Sequence, residues 1–445
     1  MKFFSTRNTS SSTTFKNVLL NGLAPDGGLY MPEIIPKMHI DFLKAHQHFE
    51  ELAVSVIHPY TKDQLTLSEL TAICEKAFNF PINIKFLNDD DLVLELFHGP
   101  TLAFKDFAAR FMAQTMSYFQ KDRKKNLTIL VATSGDTGGA VANSFHNLDG
   151  INVIVLYPSK KVSSVQEKQL TTLGGNITAL EVLGTFDDCQ SLVKKAFVDE
   201  EIQRSLYLSS ANSINFARLL PQAIYYIWAW KKCNTDESVS FSIPSGNFGN
   251  LTGGLLANQM GLPVEKFIAS LNVNDTFLNY LKSGKLIKKE TIKTISNAMD
   301  VSVPSNIERI SCLYGDDVNE ISKKISSWSF TDSLTKNMIK NVFDKYDYLI
   351  DPHTAVGMLG LGKYRLSSNS FKKCIVLSTA HASKFSNDVE KIINQKIEPP
   401  DQIKNLLDKD KNSVKLNNKF ESFKEFLLAI LLFLIFPLHI LKIFI

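Results

Sequence analysis

Four short, almost unbroken apolar runs recur along this chain, and most of them pass straight into a polar loop and then a helical pattern. Leu127–Ala132 enters T-S-G-D-T-G-G at Thr133–Gly139, followed by helix-like A-V-A-N-S-F. Ile151–Tyr157 stops at Pro158-Ser159. Val239–Ile243 enters P-S-G-N-F-G-N-L-T-G-G, with L-L-A-N-Q-M following as helix, and Lys373–Leu377 enters S-T-A-H-A-S-K. A strand that is apolar on both faces must be covered on both faces, so the pattern predicts α/β architecture: open, largely parallel sheets flanked by helices. Ligands in such sheets sit beyond the carboxyl ends of the strands. The three loops rich in Gly, Ser and Thr are therefore the candidate binding elements.

Composition narrows the alternatives. At roughly 150 residues per domain, 445 residues suit about three domains or one large two-lobed enzyme with an addition, and such a chain buries a large core without staples. A net charge of +4, from 49 Lys+Arg and 45 Asp+Glu, argues against a nucleic-acid partner. With 44% hydrophobic residues the chain is not compositionally disordered. The five cysteines form no C-x-x-C pair, and neither that motif nor H-E-x-x-H is present, so no metal site is expected and the thiols read as reduced in a cytoplasmic setting. Asp41–Ala77 is mostly helical by pattern, within an N-terminal segment that packs on the main body. Asp275–Asp351 reads as Lys-rich amphipathic helices with solvated faces, without a ligand site. His46 and His48 read as surface residues.

Individual residues carry the chemistry. In F-H-G-P-T-L-A-F-K-D-F (Phe97–Phe107), a Gly-Pro-Thr turn leads into a helix with an apolar stripe at Phe104, Phe107, Ala108, Phe111 and Met112. Lys105 lies in its first turn, where the helix dipole and apolar neighbours favour the neutral amine that a Schiff-base lysine needs. Solvated lysines in amphipathic helices are nonetheless common. Ser245–Asn250 (S-G-N-F-G-N) fits either anion binding by loop and helix N–H groups or a tight left-handed turn. It matches neither a Walker A loop nor G-x-G-x-x-G. Ser134–Gly139 offers hydroxyls and backbone donors suited to a carboxylate ligand. At Ser378-Thr379 a hydroxyl either meets a ring nitrogen or caps a helix.

Together these residues resemble the threonine synthase family. The resemblance runs from the N-terminus to about Glu425 through eight motifs in order. They are G-L-A-P-D-G-G-L-Y-M-P-E (Gly22–Glu33), Phe97–Phe107, T-S-G-D-T-G-G-A-V-A (Thr133–Ala142), N-S-I-N-F-A-R (Asn212–Arg218), I-P-S-G-N-F-G-N (Ile243–Asn250), V-P-S-N-I-E-R (Val303–Arg309), D-P-H-T-A-V-G (Asp351–Gly357) and S-T-A-H-A-S-K-F (Ser378–Phe385). It implies a fold type II, pyridoxal-phosphate-dependent enzyme that makes L-threonine from O-phospho-L-homoserine. A serine/threonine dehydratase of the same fold type is the alternative. It implies Lys105 as the lysine carrying the cofactor. The cofactor phosphate would lie on Gly246, Asn247, Phe248, Gly249 and Asn250, and Thr379 would face the pyridine nitrogen. Ser134, Gly135, Asp136 and Thr137 would hold the substrate carboxylate or flank the cofactor ring, and Asn212, Ser213 and Arg218 would hold the substrate phosphate. The organisation expected is an N-terminal segment (1–95), lobes at 96–220 and 221–425, and a tail at 426–445. A monomer or homodimer acting on a small molecule is expected.

The tail departs from this pattern. From Phe426 to Ile445, 17 of 20 residues are hydrophobic, the exceptions being Pro437, His439 and Lys442. That length suits a membrane span. A covered terminal helix and a misread gene end are the other readings, and the last is favoured because an exposed apolar 20-mer gives a soluble enzyme nothing.

Overall fold

The computed structural model describes residues 1–121, 123, 125–133, 135–368 and 372–435. The chain forms two compact units, one from residues 1–115 and 212–404, the other from 116–211 and from 405 onward. Contiguous lobes at 96–220 and 221–425 are therefore not what the structure shows. The reason lies in strand pairing: Asp91–Glu95 joins Cys374–Ser378 in parallel, Leu92 opposite Ile375 and Leu94 opposite Leu377. The first unit is thus interrupted by the second.

In the first unit, six strands run in the order Ile325–Ser329, Val264–Leu271, Val239–Pro244, Cys374–Ser378, Asp91–Glu95, Asn83–Phe86. All neighbours are parallel except the Asn83–Phe86 edge. Val239–Pro244 and Cys374–Ser378 are buried at every position, as a strand covered on both faces must be, and buried Ser242 is satisfied by the Gly357 carbonyl at 2.6 Å. Val93, Ile268, Cys374 and Val376 share a core with Leu361 and Tyr364 of the Pro352–Ser368 helix. A separate three-stranded antiparallel sheet joins Lys2–Ser5 with Asn8–Thr14 and Tyr30–Pro32. Helices Ile40–Ala45, Phe49–Thr61 and Leu67–Ala77 account for the helical pattern of 41–77. His46 and His48 fall between the first two helices; His46 is half-buried and bonds Ser55 Oγ at 2.6 Å, so it is not a free surface group.

In the second unit, five parallel strands run in the order Val414–Asn417, Ile177–Leu183, Ile151–Pro158, Leu127–Ala132, Tyr207–Ser209. Its core combines Leu130, Leu156 and Leu180 with Leu192 and Ile202, and also with Phe423 and Leu427. The last two lie on the Phe420–Ile435 helix, so the start of the apolar tail belongs to a packed core. Residues 436–445 of the tail lie outside the described residues. Among the described residues no helix is long and apolar enough to cross a membrane.

Candidate active site

The Lys105–Gln120 helix begins at the lysine itself. Its stripe is buried at Phe107, Ala108, Phe111 and Met112. The Phe107 ring meets Phe80 at 4.8 Å, Phe49 at 5.6 Å and Tyr225 at 5.6 Å between centroids. Truncating such a ring costs roughly 3–5 kcal/mol, so packing fixes the helix rotation and with it the direction of Lys105. Lys105 is half-buried, its Nζ 6.0 Å from the centre of the Phe104 ring.

The turn before the helix is held by its own first-turn acid. Asp106 accepts the Thr101 N–H at 2.8 Å and the Thr101 hydroxyl at 2.6 Å. Lys384, also buried, donates to the Thr101 carbonyl at 2.8 Å. Burial pushes the Asp106 carboxyl up to about 6, against the pull of the two Thr101 bonds and of Lys384 and Arg110.

Thr379 is tied to this turn through the backbone. Phe104 N–H donates to the Thr379 carbonyl at 2.9 Å, His381 N–H donates to the Leu102 carbonyl at 3.1 Å, and Ala103 and Ala380 form an antiparallel bridge. The residue just before Lys105 is thereby fixed to Thr379, although the two lie at opposite ends of the sequence. Thr379 caps no helix; His381 takes that task, accepting from the Ser383 N–H.

The Ser245–Asn250 loop opens the Gly249–Met260 helix, which therefore starts earlier than L-L-A-N-Q-M and includes Gly249 and Asn250. Phe248 adopts a left-handed φ of 60° at the N-cap. Gly246 is required by close approach: a Cβ there would fall 2.8 Å from Met299 Cα and 2.9 Å from the Ala298 carbonyl oxygen. Asn247 donates to Ser213 Oγ at 2.8 Å, accepts the Ser305 N–H at 2.6 Å, and receives on its carbonyl the Asn306 side-chain amide at 2.9 Å. Asn250 Nδ2 is used on the Pro244 carbonyl at 2.9 Å, so its side chain locks strand to helix. The backbone N–H groups of a first helical turn have no intrahelical acceptor. A loop backed by main chain at its glycine and ending on such a turn fits a phosphate monoester dianion.

Ser213 and half-buried Asn212 lie on the turn before the Phe216–Lys232 helix, which carries Arg218 in its first turn. Arg218 is buried, and burial lowers its guanidinium to about 10 while Asp106 opposes the shift, so it stays charged.

The Thr133–Gly139 loop belongs to the second unit. Ser134 lies outside the described residues. Gly135 is the N-cap of the Asp136–Phe145 helix, so Asp136 and Thr137 are first-turn helical residues, not loop residues. Asp136 is buried and its Oδ1 accepts from Gln166 Nε2 at 3.0 Å; Thr137 is half-buried. Thr133 organises the segment: its hydroxyl donates to the Gly135 carbonyl at 2.9 Å and accepts from Gly135 N–H at 3.1 Å and Gly138 N–H at 3.0 Å.

Sequence reasoning missed several of these residues. Thr133 and Asp106 stood inside quoted motifs without a role; a hydroxyl or carboxylate two to five residues from a glycine turn was the available signal. Met299, Ser305 and Asn306 lie in the 275–351 stretch read as solvated helices. The stretch does hold several helices, but it also holds the Ile325–Ser329 strand, and Ala298, Met299, Ser305 and Asn306 lie against Gly246 and Asn247, which no periodicity reveals.

A parallel sheet with a lysine at the entry of one helix and a phosphate-fitting loop at the entry of another defines a pyridoxal-phosphate-dependent enzyme of fold type II. The family model of that description, pyridoxal-phosphate dependent enzyme, matches residues 92–379. Models of the threonine synthase N terminus and of the threonine synthase C-terminal region match residues 2–78 and 354–427. The threonine synthase of Buchnera aphidicola subsp. Acyrthosiphon pisum is 41% identical over 434 residues, covering 96% of this chain and 100% of that one. The crystal structure of PLP-bound threonine synthase from Brucella melitensis aligns with a TM-score of 0.91 and 34% identity, covering 96% of this chain and 99% of that one. That of Escherichia coli threonine synthase gives 0.88 and 38%, covering 96% and 100%. The chain belongs to the threonine synthase family.

Proposed function

We propose that the protein converts O-phospho-L-homoserine and water to L-threonine and inorganic phosphate. The observation that carries this reading is the 2.8 Å bond from Asn247 to Ser213. It joins the phosphate-fitting loop to the segment bearing buried, charged Arg218, so two anion-binding elements adjoin. A reaction with a phosphorylated cofactor and a phosphorylated substrate needs both; a dehydratase needs one.

Pyridoxal phosphate, when bound, supplies a conjugated sink for electrons released beside the substrate amine. Gly246, Asn247, Phe248, Gly249 and Asn250 would hold its phosphate, and the Thr379 hydroxyl would serve its ring nitrogen as an uncharged partner. Lys105 would carry the cofactor and, as a neutral amine, would move protons at the substrate Cα and Cβ. Ser134, Gly135, Asp136 and Thr137 receive the substrate carboxylate at a helix N-terminus, with Gln166 engaging the Asp136 carboxylate. Asn212, Ser213 and Arg218 hold the leaving phosphate. The C–O bond at Cγ breaks and phosphate takes the electron pair; Cβ gives up one proton and receives the hydroxyl of water, Cγ gains a proton to become a methyl group, and the remaining proton of water goes to the phosphate. The reading takes the enzyme to be cytoplasmic, a monomer or homodimer, and confined to small-molecule partners.

Two measurements test it. Incubation with O-phospho-L-homoserine should release phosphate and threonine in equal amounts; ammonia from serine or threonine without phosphate release would replace it with a dehydratase. Borohydride reduction of the holoenzyme should leave the pyridoxyl group on the Lys105 peptide, and Lys105→Ala should lower turnover about a thousandfold or more while the fold persists.

A further inference from the structure

Arg309 is fully buried, on the Ile307–Tyr314 helix. Its guanidinium reaches three segments far apart in sequence. Nε and Nη2 donate to the Tyr30 carbonyl at 3.3 and 3.2 Å, Nη2 donates to the Ile214 carbonyl at 2.6 Å, and Nη1 donates to Asn306 Oδ1 at 2.8 Å. Asn306 in turn donates to the Asn247 carbonyl at 2.9 Å. A buried guanidinium is costly unless its donors are used. Among the described residues every hydrogen bond it makes goes to a neutral oxygen. Neighbouring Glu308 turns instead to Thr6, at 2.5 Å, and to Arg7, at 3.2 Å.

The three segments are the N-terminal sheet (Tyr30), the 212–218 turn (Ile214) and the loop that backs Asn247 (Asn306). Lysine presents a single ammonium and cannot match this fork, which spans carbonyls arriving from different directions. Asn215 adds a parallel tie, donating to the Leu19 carbonyl at 2.8 Å.

We propose that Arg309 is a positioning residue that sets the Asn247 backbone through Asn306, so that the N-terminal sheet and the 212–218 turn together hold the loop in its phosphate-binding form. The N-terminal segment thus has a role in ligand binding although it supplies none of the site residues. The proposal rests on the reading of Ser245–Asn250 as the cradle of the cofactor phosphate.

The test compares two probes on the full chain stripped of cofactor: pyridoxal phosphate and pyridoxal, which lacks the phosphate. Binding is followed by fluorescence titration, and the bound phosphate by its phosphorus NMR shift. Arg309→Met should weaken pyridoxal phosphate about tenfold or more, shift the phosphorus signal, and leave pyridoxal affinity unchanged. Asn306→Ala, which cuts the relay at its other end, should give the same phosphate-selective loss and serves if Arg309→Met does not fold. Glu308→Gln should leave the ratio of the two affinities as in the parent chain. Equal losses for both probes, or no loss, would overturn the role of Arg309. A parent chain that binds both probes equally well would instead overturn the reading of the loop.

Discussion

The two glycine loops that follow parallel strands, Thr133–Gly139 and Ser245–Asn250, look alike in sequence and are stabilised in opposite ways. The first is tied largely to itself, with one brace from the Ser164–Thr171 helix. One hydroxyl, that of Thr133, serves Gly135 and Gly138, and Gln166 takes Asp136. The second is held from afar: Ser213, Met299, Ser305 and Asn306 surround Gly246 and Asn247. A locally closed loop keeps its form with little help from the rest of its unit. A remotely braced loop is only as ordered as the segments around it, and its shape responds to changes far along the chain.

That contrast is open to direct attack. The largest effect is expected from Gly246→Ala. The new methyl would press on the Met299 and Ala298 main chain, which cannot step aside. Overpacking of this kind costs about 1–3 kcal/mol, so cofactor affinity should fall up to about a hundredfold, as read by titration. A normal affinity would mean the remote bracing is soft.

Asp106→Asn tests the local brace of the first unit. Its carboxyl is raised by burial to about 6. The folded state therefore binds the extra proton between about pH 4 and 6, and stability falls as pH rises through that window. The total is about 3 kcal/mol, at 1.36 kcal/mol per pKa unit. Denaturant melts from pH 4 to 7 should show this slope in the parent chain and lose it in the variant.

Gly138→Ala should do less, because its methyl meets the Thr133 Cγ2 methyl, a side-chain atom, at 2.3 Å. We expect about a tenfold rise in the KM for O-phospho-L-homoserine with cofactor affinity intact. Adding Thr133→Ser, which removes only that methyl, should restore most of it, and a double-mutant cycle measures the coupling. The smallest effect belongs to Lys411, which bonds Glu167 at 2.6 Å and Glu181 at 2.7 Å beside Gln166. Lys411→Ala should cost about 0.2–1 kcal/mol in chemical denaturation.

The same contrast explains what could be read from the sequence. Strands such as Ile151–Pro158 were legible because burial on both faces leaves a nearly unbroken apolar run. Lys105 and Thr379 were legible as candidates, but their closeness was not: the Phe104–Thr379 bond links residues whose strands become neighbours only in the finished sheet. Helix starts at Asp136 and Gly249 were placed too late, since small polar residues in a first turn look like loop. Asn306 and Arg309 carried no periodic signal: Asn306 stands at the N-cap of the Ile307–Tyr314 helix, and Arg309 is a charge on that helix's buried face, where the pattern leads one to expect an apolar residue. The tail from Phe426 reads as alien for its apolarity, whereas Leu427 near its start completes a core together with Phe423.

The interrupted first unit has a consequence for synthesis. Cys374–Ser378 sits between Asp91–Glu95 and Val239–Pro244 in the six-stranded sheet. A growing chain on the ribosome has long since made its outer neighbours before this inner strand emerges. Until then both neighbours present open edges, a hazard for pairing with other chains. Four strands of the second unit, by contrast, are complete by residue 209 and form from nearer contacts, which close faster. The turn holding Lys105 therefore gains its tether to Thr379 only late in translation, and nascent chains cut short of residue 374 should need chaperone cover.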